Sequence, residues 1–453
     1  MRALALLLAL ALPAAAQDRA ALVEEGRALA IAGDCTACHG DDYAGGDPIQ
    51  SPIGAIHATN ITPDPTTGIG DWTLGEFAAL MRKGRAPDRM IYPAMPYVSY
   101  TGLSDRQIEA LHAYLTDAVE PVVRADTPND LPFPFNIRAI MLGWNAFFLD
   151  EGSPPGAAEV QGPEAERGRL LVETLGHCSA CHTPRGQLMQ QISERHLGGG
   201  MVSGWWAPNL TRGRGGLSDW SDDELAAFLS TGHTERAVAA GEMGLAVEHS
   251  LSLMPEADIR AIVAYLRAVP PVDEEDPPAS APTIPAPILS LAAAPPPSDW
   301  RAQTEHAGTE GAALYEAACA ACHRSDGSGG GDFPSLRRIS TVGDPHGATL
   351  VQVIAHGVDR QAGGRHALMP AFGEQFDHAQ IAAVANHVRA AFGGVEGGLD
   401  AGTVASILSG QYGVPLLIRI ASPLAYAGLA AAGFVLLALG WWLWRRRRAA
   451  AAA

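Results

Sequence analysis

At 453 residues the chain is too long for one compact core, and a prior of about 150 residues per domain allows roughly three. With 47% hydrophobic and 18% charged residues it belongs among chains that fold rather than stay disordered. Between Arg2 and the four arginines near the C-terminus lie 26 of the 31 basic residues and all 49 acidic ones. That balance argues against a nucleic-acid partner and suits a basic patch on another protein.

Residues 1–16 read as a secretory signal: Arg2 is the positive n-region, Leu4 to Leu12 the apolar core, and Ala14, Ala15 and Ala16 a small-residue cleavage site before Gln17. Residues 17–150 form a first domain. Thr73 with Glu76 marks an internal helix there, and Ser104 with Gln107 opens a closing helix that presents Ile108, Leu111 and Leu115 on one face. An apolar patch, Leu131 to Phe148, is interrupted by prolines and reads as no simple helix; its aromatic content predicts packing between domains or against a partner. Residues 151–272 form a second domain, with Ser221 and Glu224 at an internal helix and Ile259, Ile262, Val263 and Leu266 on a closing one.

A Pro- and Ala-rich linker follows at 273–299, opening on Asp273, Glu274, Glu275 and Asp276. Its composition predicts an extended, semi-rigid spacer, which makes the third domain, 300–398, the most independently placed. There Asp377 caps a helix presenting Ile381, Val384 and Val388. A membrane-proximal segment, 399–423, leads to Leu424–Trp444, 21 residues without a charge and about 31 Å long as a helix. Trp441, Trp442 and Trp444 crowd its end, and Arg445 to Arg448 begin the tail, 445–453, which positive charge keeps cytoplasmic. No useful period-2 alternation appears, so the domains read as all-α.

All six cysteines stand in Cys-x-x-Cys-His: Cys35, Cys38 and His39; Cys178, Cys181 and His182; Cys319, Cys322 and His323. This is the spacing of covalent haem c attachment, two thiols forming thioethers with the vinyl groups and the His reaching the iron. Zinc would need two more ligands per site, and a redox dithiol a βαβ context that is missing. A haem iron that only transfers electrons takes a sixth ligand, commonly a thioether. Met95 before Pro96 and Met369 before Pro370 are the candidates for the first and third sites; Met243 is the candidate for the second, with Met254 its rival.

Other residues carry weaker signals. Trp72 and Trp220 are candidates to reach haem propionates, with plain packing as the alternative, and Arg82, Lys83 and Arg85 to neutralise them. Asn60 and Asn209 fit the glycosylation sequon but read better as loop hydrogen-bonders. His57, His233 and His366 rank below their neighbouring methionines as distal ligands, and Gly327 to Gly331 read as a loop, not a nucleotide fingerprint.

With these residues in hand, the chain resembles the three-haem cytochrome c subunits of membrane-bound bacterial dehydrogenases that oxidise alcohol, gluconate, fructose, sorbitol or aldehydes. The likeness rests on Tyr43-Ala44-Gly45-Gly46, Ser51-Pro52-Ile53-Gly54, Ala58 to Asp64 with Gly68-Ile69-Gly70, Tyr92 to Tyr97, Leu131 to Arg138, and Ala207 to Thr211. It implies an all-α fold of three tandem class I cytochrome c domains plus one C-terminal transmembrane helix, on the periplasmic side of the inner membrane. It further implies three haem c groups, with Met95, Met243 and Met369 as axial partners of the histidines. The implied role is a non-catalytic one, passing electrons from a flavin, pyrroloquinoline quinone or molybdopterin dehydrogenase to ubiquinone. The alternative role is a multihaem carrier feeding a terminal oxidase or peroxidase. One departure is Arg212-Gly213-Arg214-Gly215-Gly216, where the family usually keeps a more acidic turn.

Overall fold

The computed structural model describes residues 2–274, 310–331 and 333–451, and of residues 2–16 and 449–451 the backbone alone. Beyond Glu274, the linker expected from Asp273 to Ser298 lies outside the described residues.

Each Cys-x-x-Cys-His motif sits in the same frame. Helix α1 (Arg2–Ala32) leads into α2 (Cys35–His39). In the second domain α7 (Pro163–Arg169) and a π-helical turn (Leu170–Leu175) lead towards α8 (Ser179–His182), and in the third α12 (Gly311–Ala318) leads into α13 (Ala320–His323). Each leading helix crosses the closing helix of its domain: α5 (Asp105–Asp117), α11 (Glu256–Ala268) and α15 (His378–Val388).

The crossings are tight because a glycine sits at each contact. A Cβ on Gly26 would lie 1.9 Å from the Ala110 carbonyl oxygen, one on Gly168 1.9 Å from that of Ala261, and one on Gly311 2.2 Å from that of Ala383. Farther along, the closing helix brings Tyr114, Tyr265 or His387 against the same glycine. The closing helices start where the local signals place them. Ser104 with Gln107 and Asp377 with Gln380 form reciprocal capping boxes, as do Thr73 with Glu76 and Ser221 with Glu224 at α3 (Leu74–Lys83) and α9 (Asp222–Thr231). Their expected apolar faces are buried.

Among the described residues, four two-stranded antiparallel hairpins decorate this helical frame. They are β1 (Ile49–Ser51) with β2 (Gly54–Ile56), β3 (Gly198–Val202) with β4 (Trp205–Asn209), β5 (His233–Thr234) with β6 (Ala237–Val238), and β7 (Val358–Ala362) with β8 (Arg365–Met369). Strands of five residues or fewer are too short to show alternation, so the sequence does not announce them. The β7–β8 turn uses Gly363 and Gly364 at φ 56° and 73°, the backbone a two-residue hairpin turn requires. That register sets Met369 opposite Val358.

Two expectations are corrected. The patch after Leu131 does contain a regular helix, α6 (Ile140–Phe148), because its prolines end at Pro134 and nothing after Ile140 breaks the backbone ladder. The third domain is not independently placed. Arg360 on β7 is buried and donates to the carbonyls of Thr231 at 2.6 Å, Gly232 at 3.1 Å and Ala239 at 3.4 Å in the second domain. Trp206 on β4 donates its backbone N–H to Thr349 Oγ1 (3.1 Å) on α14 (Ala348–His356), and its ring lies 4.3 Å from that of His346. A buried guanidinium must find acceptors, and the second domain supplies them. The first and second domains are joined more fully still: one apolar core runs from Leu22 and Leu111 through Leu171 to Ile262.

Helix α16 (Ala401–Leu408) covers the third core with Val404 and Ile407. Helix α17 (Leu416–Ala451) contains, at residues 416–448, a stretch long and apolar enough to cross a membrane, with none of its most apolar window buried.

The crossing geometry makes a prediction. Gly168→Val should cost about 3 kcal/mol or more, because backbone would have to move to admit the side chain. Gly143→Ala on α6, where nothing lies within 4 Å, should be neutral or stabilising by up to about 1 kcal/mol. Thermal unfolding of the two variants beside the parent checks both.

Three candidate haem-attachment sites

A single helical turn puts residues i, i+3 and i+4 on one face, so Cys35, Cys38 and His39 of α2 point the same way, as do the corresponding residues at α8 and α13. In all three the imidazole is oriented by the same hydrogen bond. Nδ1 of His39 lies 2.7 Å from the carbonyl oxygen of Thr59, that of His182 2.7 Å from Pro208, and that of His323 3.1 Å from Pro334. A carbonyl only accepts, so Nδ1 carries the proton and Nε2 keeps its lone pair for a metal. Burial holds the pKa of each of these histidines below the usual value, against the opposing pull of the carbonyl, which keeps the ring neutral.

The loops that supply two of these carbonyls are pinned by buried asparagines. Asn60, next to Thr59, donates to the carbonyl of Val122 at 2.8 Å and accepts from Thr62 N–H at 2.9 Å. Asn209, next to Pro208, donates to Val272 at 2.6 Å and accepts from Thr211 N–H at 2.8 Å. Both side chains are buried, so they act as loop anchors and not as glycan acceptors. The third site has Ser335 after Pro334, with a longer contact, 3.4 Å, to Gly327 O.

The thiols sit in apolar surroundings. Burial pushes Cys35, Cys178 and Cys319 up to about 12 and Cys38 to about 11. Among the described residues no group of three or more His, Cys, Asp or Glu converges to hold a metal ion, so the zinc alternative has no ligand set. Paired neutral thiols beside a neutral, oriented imidazole fit a covalently attached porphyrin. The residues present suit haem c.

Met95 packs against the shared core of the first two domains and Met369 against the third core. Met243 lies on α10 (Gly241–His249), at a small junction cluster with Ala239, Val247 and Ala362, while Met254 packs into the large core. Glu242, the neighbour of Met243, interacts electrostatically with both Cys181 and Cys38, which puts the first turn of α10 beside two attachment loops.

Those loops meet across the domain junction. The Tyr100 hydroxyl donates to Gly33 O at 3.1 Å, its ring meets His177 edge-on at 5.9 Å, and Cys38 and Cys181 are near enough to interact.

Several weaker candidates are otherwise engaged. Arg82 donates to Leu103 O at 2.7 Å and to Asp105, and Lys83 pairs with Glu151 at 2.8 Å. Trp220 packs on Phe228 beneath Arg236, and Trp72 packs against the shared core of the first two domains. His366 pairs with Asp359 at 2.7 Å on an exposed hairpin, away from a distal role. Arg214, in the departing turn, is held by the Asp273 carboxylate through its N–H at 2.8 Å.

Two groups escape the sequence reading. Glu173, in the π-helical turn, is fully buried and accepts from Tyr265 at 2.6 Å, with His196 Nε2 at 2.8 Å. Asp34, at φ 52° just before Cys35, has a buried Oδ1 with no hydrogen-bond partner. An acidic residue ahead of an attachment motif was the available signal for it.

Three oriented imidazoles, each beside a thiol pair, define a multihaem c-type protein. The family model for cytochrome c matches residues 23–118, 165–270 and 308–391. The chain is 40% identical to the fructose dehydrogenase cytochrome subunit of Gluconobacter japonicus, over 94% of this chain and 91% of that one. It is 38% identical to the gluconate 2-dehydrogenase cytochrome c subunit of Pantoea cypripedii, over 88% and 92%. It is 36% identical to the alcohol dehydrogenase (quinone) cytochrome c subunit of Gluconacetobacter polyoxogenes, over 82% and 81%. The chain belongs to the cytochrome c family, among the electron-transfer subunits of dehydrogenase complexes, and its domains carry covalently bound haem c.

Asp34 makes stability depend on pH. Desolvation first, and the Glu242 carboxylate second, push its carboxyl from 3.8 up to about 7. The folded state therefore holds this proton more firmly than the unfolded one, and the associated stability is present below about 4 and lost as pH rises through about 7. Asp34→Asn removes the charge and should stabilise the protein by roughly 2 kcal/mol at pH 8 while changing little at pH 4. Denaturant titrations at the two pH values check it.

Proposed function

We propose that this chain accepts electrons from a catalytic dehydrogenase subunit and passes them through three haem c groups to ubiquinone, on the periplasmic face of a membrane in which α17 anchors it. In this reading Cys35 and Cys38, Cys178 and Cys181, and Cys319 and Cys322 bind one haem each. His39 with Met95, His182 with Met243, and His323 with Met369 would supply the iron ligands. Haem c supplies reversible one-electron chemistry when bound. The protein's own part is to orient each imidazole through its loop carbonyl, exclude water with the apolar cores, and fix the domains against each other. The observation that carries the reading is the threefold repetition of the Nδ1-to-carbonyl bond behind a paired-thiol turn. A thioether ligand would favour the ferrous state, which suits an electron carrier.

The test is isolation of the detergent-solubilised native complex. Co-purification of a large dehydrogenase subunit, with substrate-dependent reduction of a ubiquinone analogue, is the expected result. Oxidase or peroxidase subunits in its place would support the carrier alternative. Met243 stands in a small junction cluster while Met254 packs into the large core as a filler, and that placement supports Met243 over Met254. Met243→Ala should lower one haem potential by on the order of 100 mV and leave the other two in place, whereas Met254→Ala should change stability only. Spectroelectrochemical titration of both variants decides between them.

A further inference from the structure

The composition of α6 is unusual for an exposed helix. No charged residue occurs from Ala139 to Leu149, and none of the nine residues of α6 is buried. Leu142 is 60% and Phe147 82% exposed, with Ile137 and Ile140 beside them. The polar groups of this segment all turn inward. Asn145 donates to Lys83 O at 2.9 Å and accepts from the Tyr97 hydroxyl at 2.7 Å, Trp144 Nε1 donates to Leu188 O at 2.9 Å, and Arg138 donates to Met90 O at 3.2 Å. The helix is thus held by its polar atoms and offers its apolar ones outward.

That surface is continuous with the outer end of α17. The Phe133 ring lies 5.5 Å from Tyr426, seven residues after Arg419, the last charge before the span, and Leu417 N–H donates to Gln187 Oε1 at 3.4 Å beside exposed Leu188. If Tyr426 stands at headgroup level, the segment touching it stands there too.

We infer that α6 lies in the lipid–water interface and is a second membrane contact, with Leu142 and Phe147 entering the bilayer surface. The inference rests on reading α17 as a membrane anchor. An exposed apolar patch carrying aromatic rings is what a protein surface offers to the lipid–water boundary. A lone span leaves the body free to rotate about it; a second contact fixes which face of the three-domain body looks at the membrane.

The test uses the full holo chain in vesicles of phosphatidylethanolamine and phosphatidylglycerol, with p-benzoylphenylalanine installed in turn at Phe147, Phe434 and Val123. Phe434 on α17 is 74% exposed and reports the anchor; Val123 is 77% exposed and lies outside the apolar surface. After illumination, mass spectrometry should find phospholipid adducts at Phe147 and Phe434 but not at Val123. Lipid at Phe434 with none at Phe147 would overturn the inference and leave the anchor standing. An adduct from Phe147 to a second copy of the chain would overturn the inference and assign the surface to a contact between copies. No adduct at either position would remove the anchor reading and this one with it, and equal labelling at all three would show that the contact is not specific to α6.

Discussion

An imidazole buried in protein keeps a proton on one nitrogen only, and whichever group takes that proton decides what the other nitrogen is for. Here the deciding group is a loop carbonyl, Thr59, Pro208 or Pro334, facing Nδ1 of the motif histidine. Much of each domain's architecture serves to hold that carbonyl still. In the first two domains a buried asparagine ties the loop to the strand of chain that leaves the closing helix, at Val122 and Val272. The closing helix is in turn locked to the leading helix by a glycine crossing, and the leading helix delivers the thiols. Helix crossing, loop anchor and imidazole form one mechanical chain, so a defect at any link reaches the ring.

What could be read from residue order is what depends on near neighbours. The paired thiols and histidine are contiguous and share one helical turn, the capping boxes span three residues, and the closing helices show their apolar faces at helical spacing. The expected caps and faces are present at Ser104, Asp377, Ile259 and Val384. What escaped depends on partners far away in sequence. The hairpins are too short for periodicity to register. Arg360 looks like any surface arginine until its acceptors at Thr231 and Gly232 are in view. Glu173 finds Tyr265 and His196 across 92 and 23 residues. The composition of the linker from Asp273 to Ser298 spoke for a third domain placed more independently than the other two, but contacts elsewhere decide that placement.

The middle of the assembly falls to α10. Its first turn carries Met243 and Glu242, lies beside the first and second attachment loops, and shares a small apolar cluster with Ala362 of the third domain. One short helix therefore touches all three domains. Electron transfer between centres falls steeply with separation, so a common wedge of this kind ties the spacing of the centres to packing rather than to chain connectivity.

The buried guanidinium of Arg360 has a consequence for how the body comes apart. Pulling the second and third domains away from each other breaks three hydrogen bonds of a buried guanidinium at once and uncovers the surfaces packed around it, so water must replace all three acceptors before the junction opens. Covalent continuity through residues 275–309 is then not what keeps the third domain in position. A chain nicked anywhere in that stretch would still migrate as a single particle, and separating its halves would take denaturant rather than a protease.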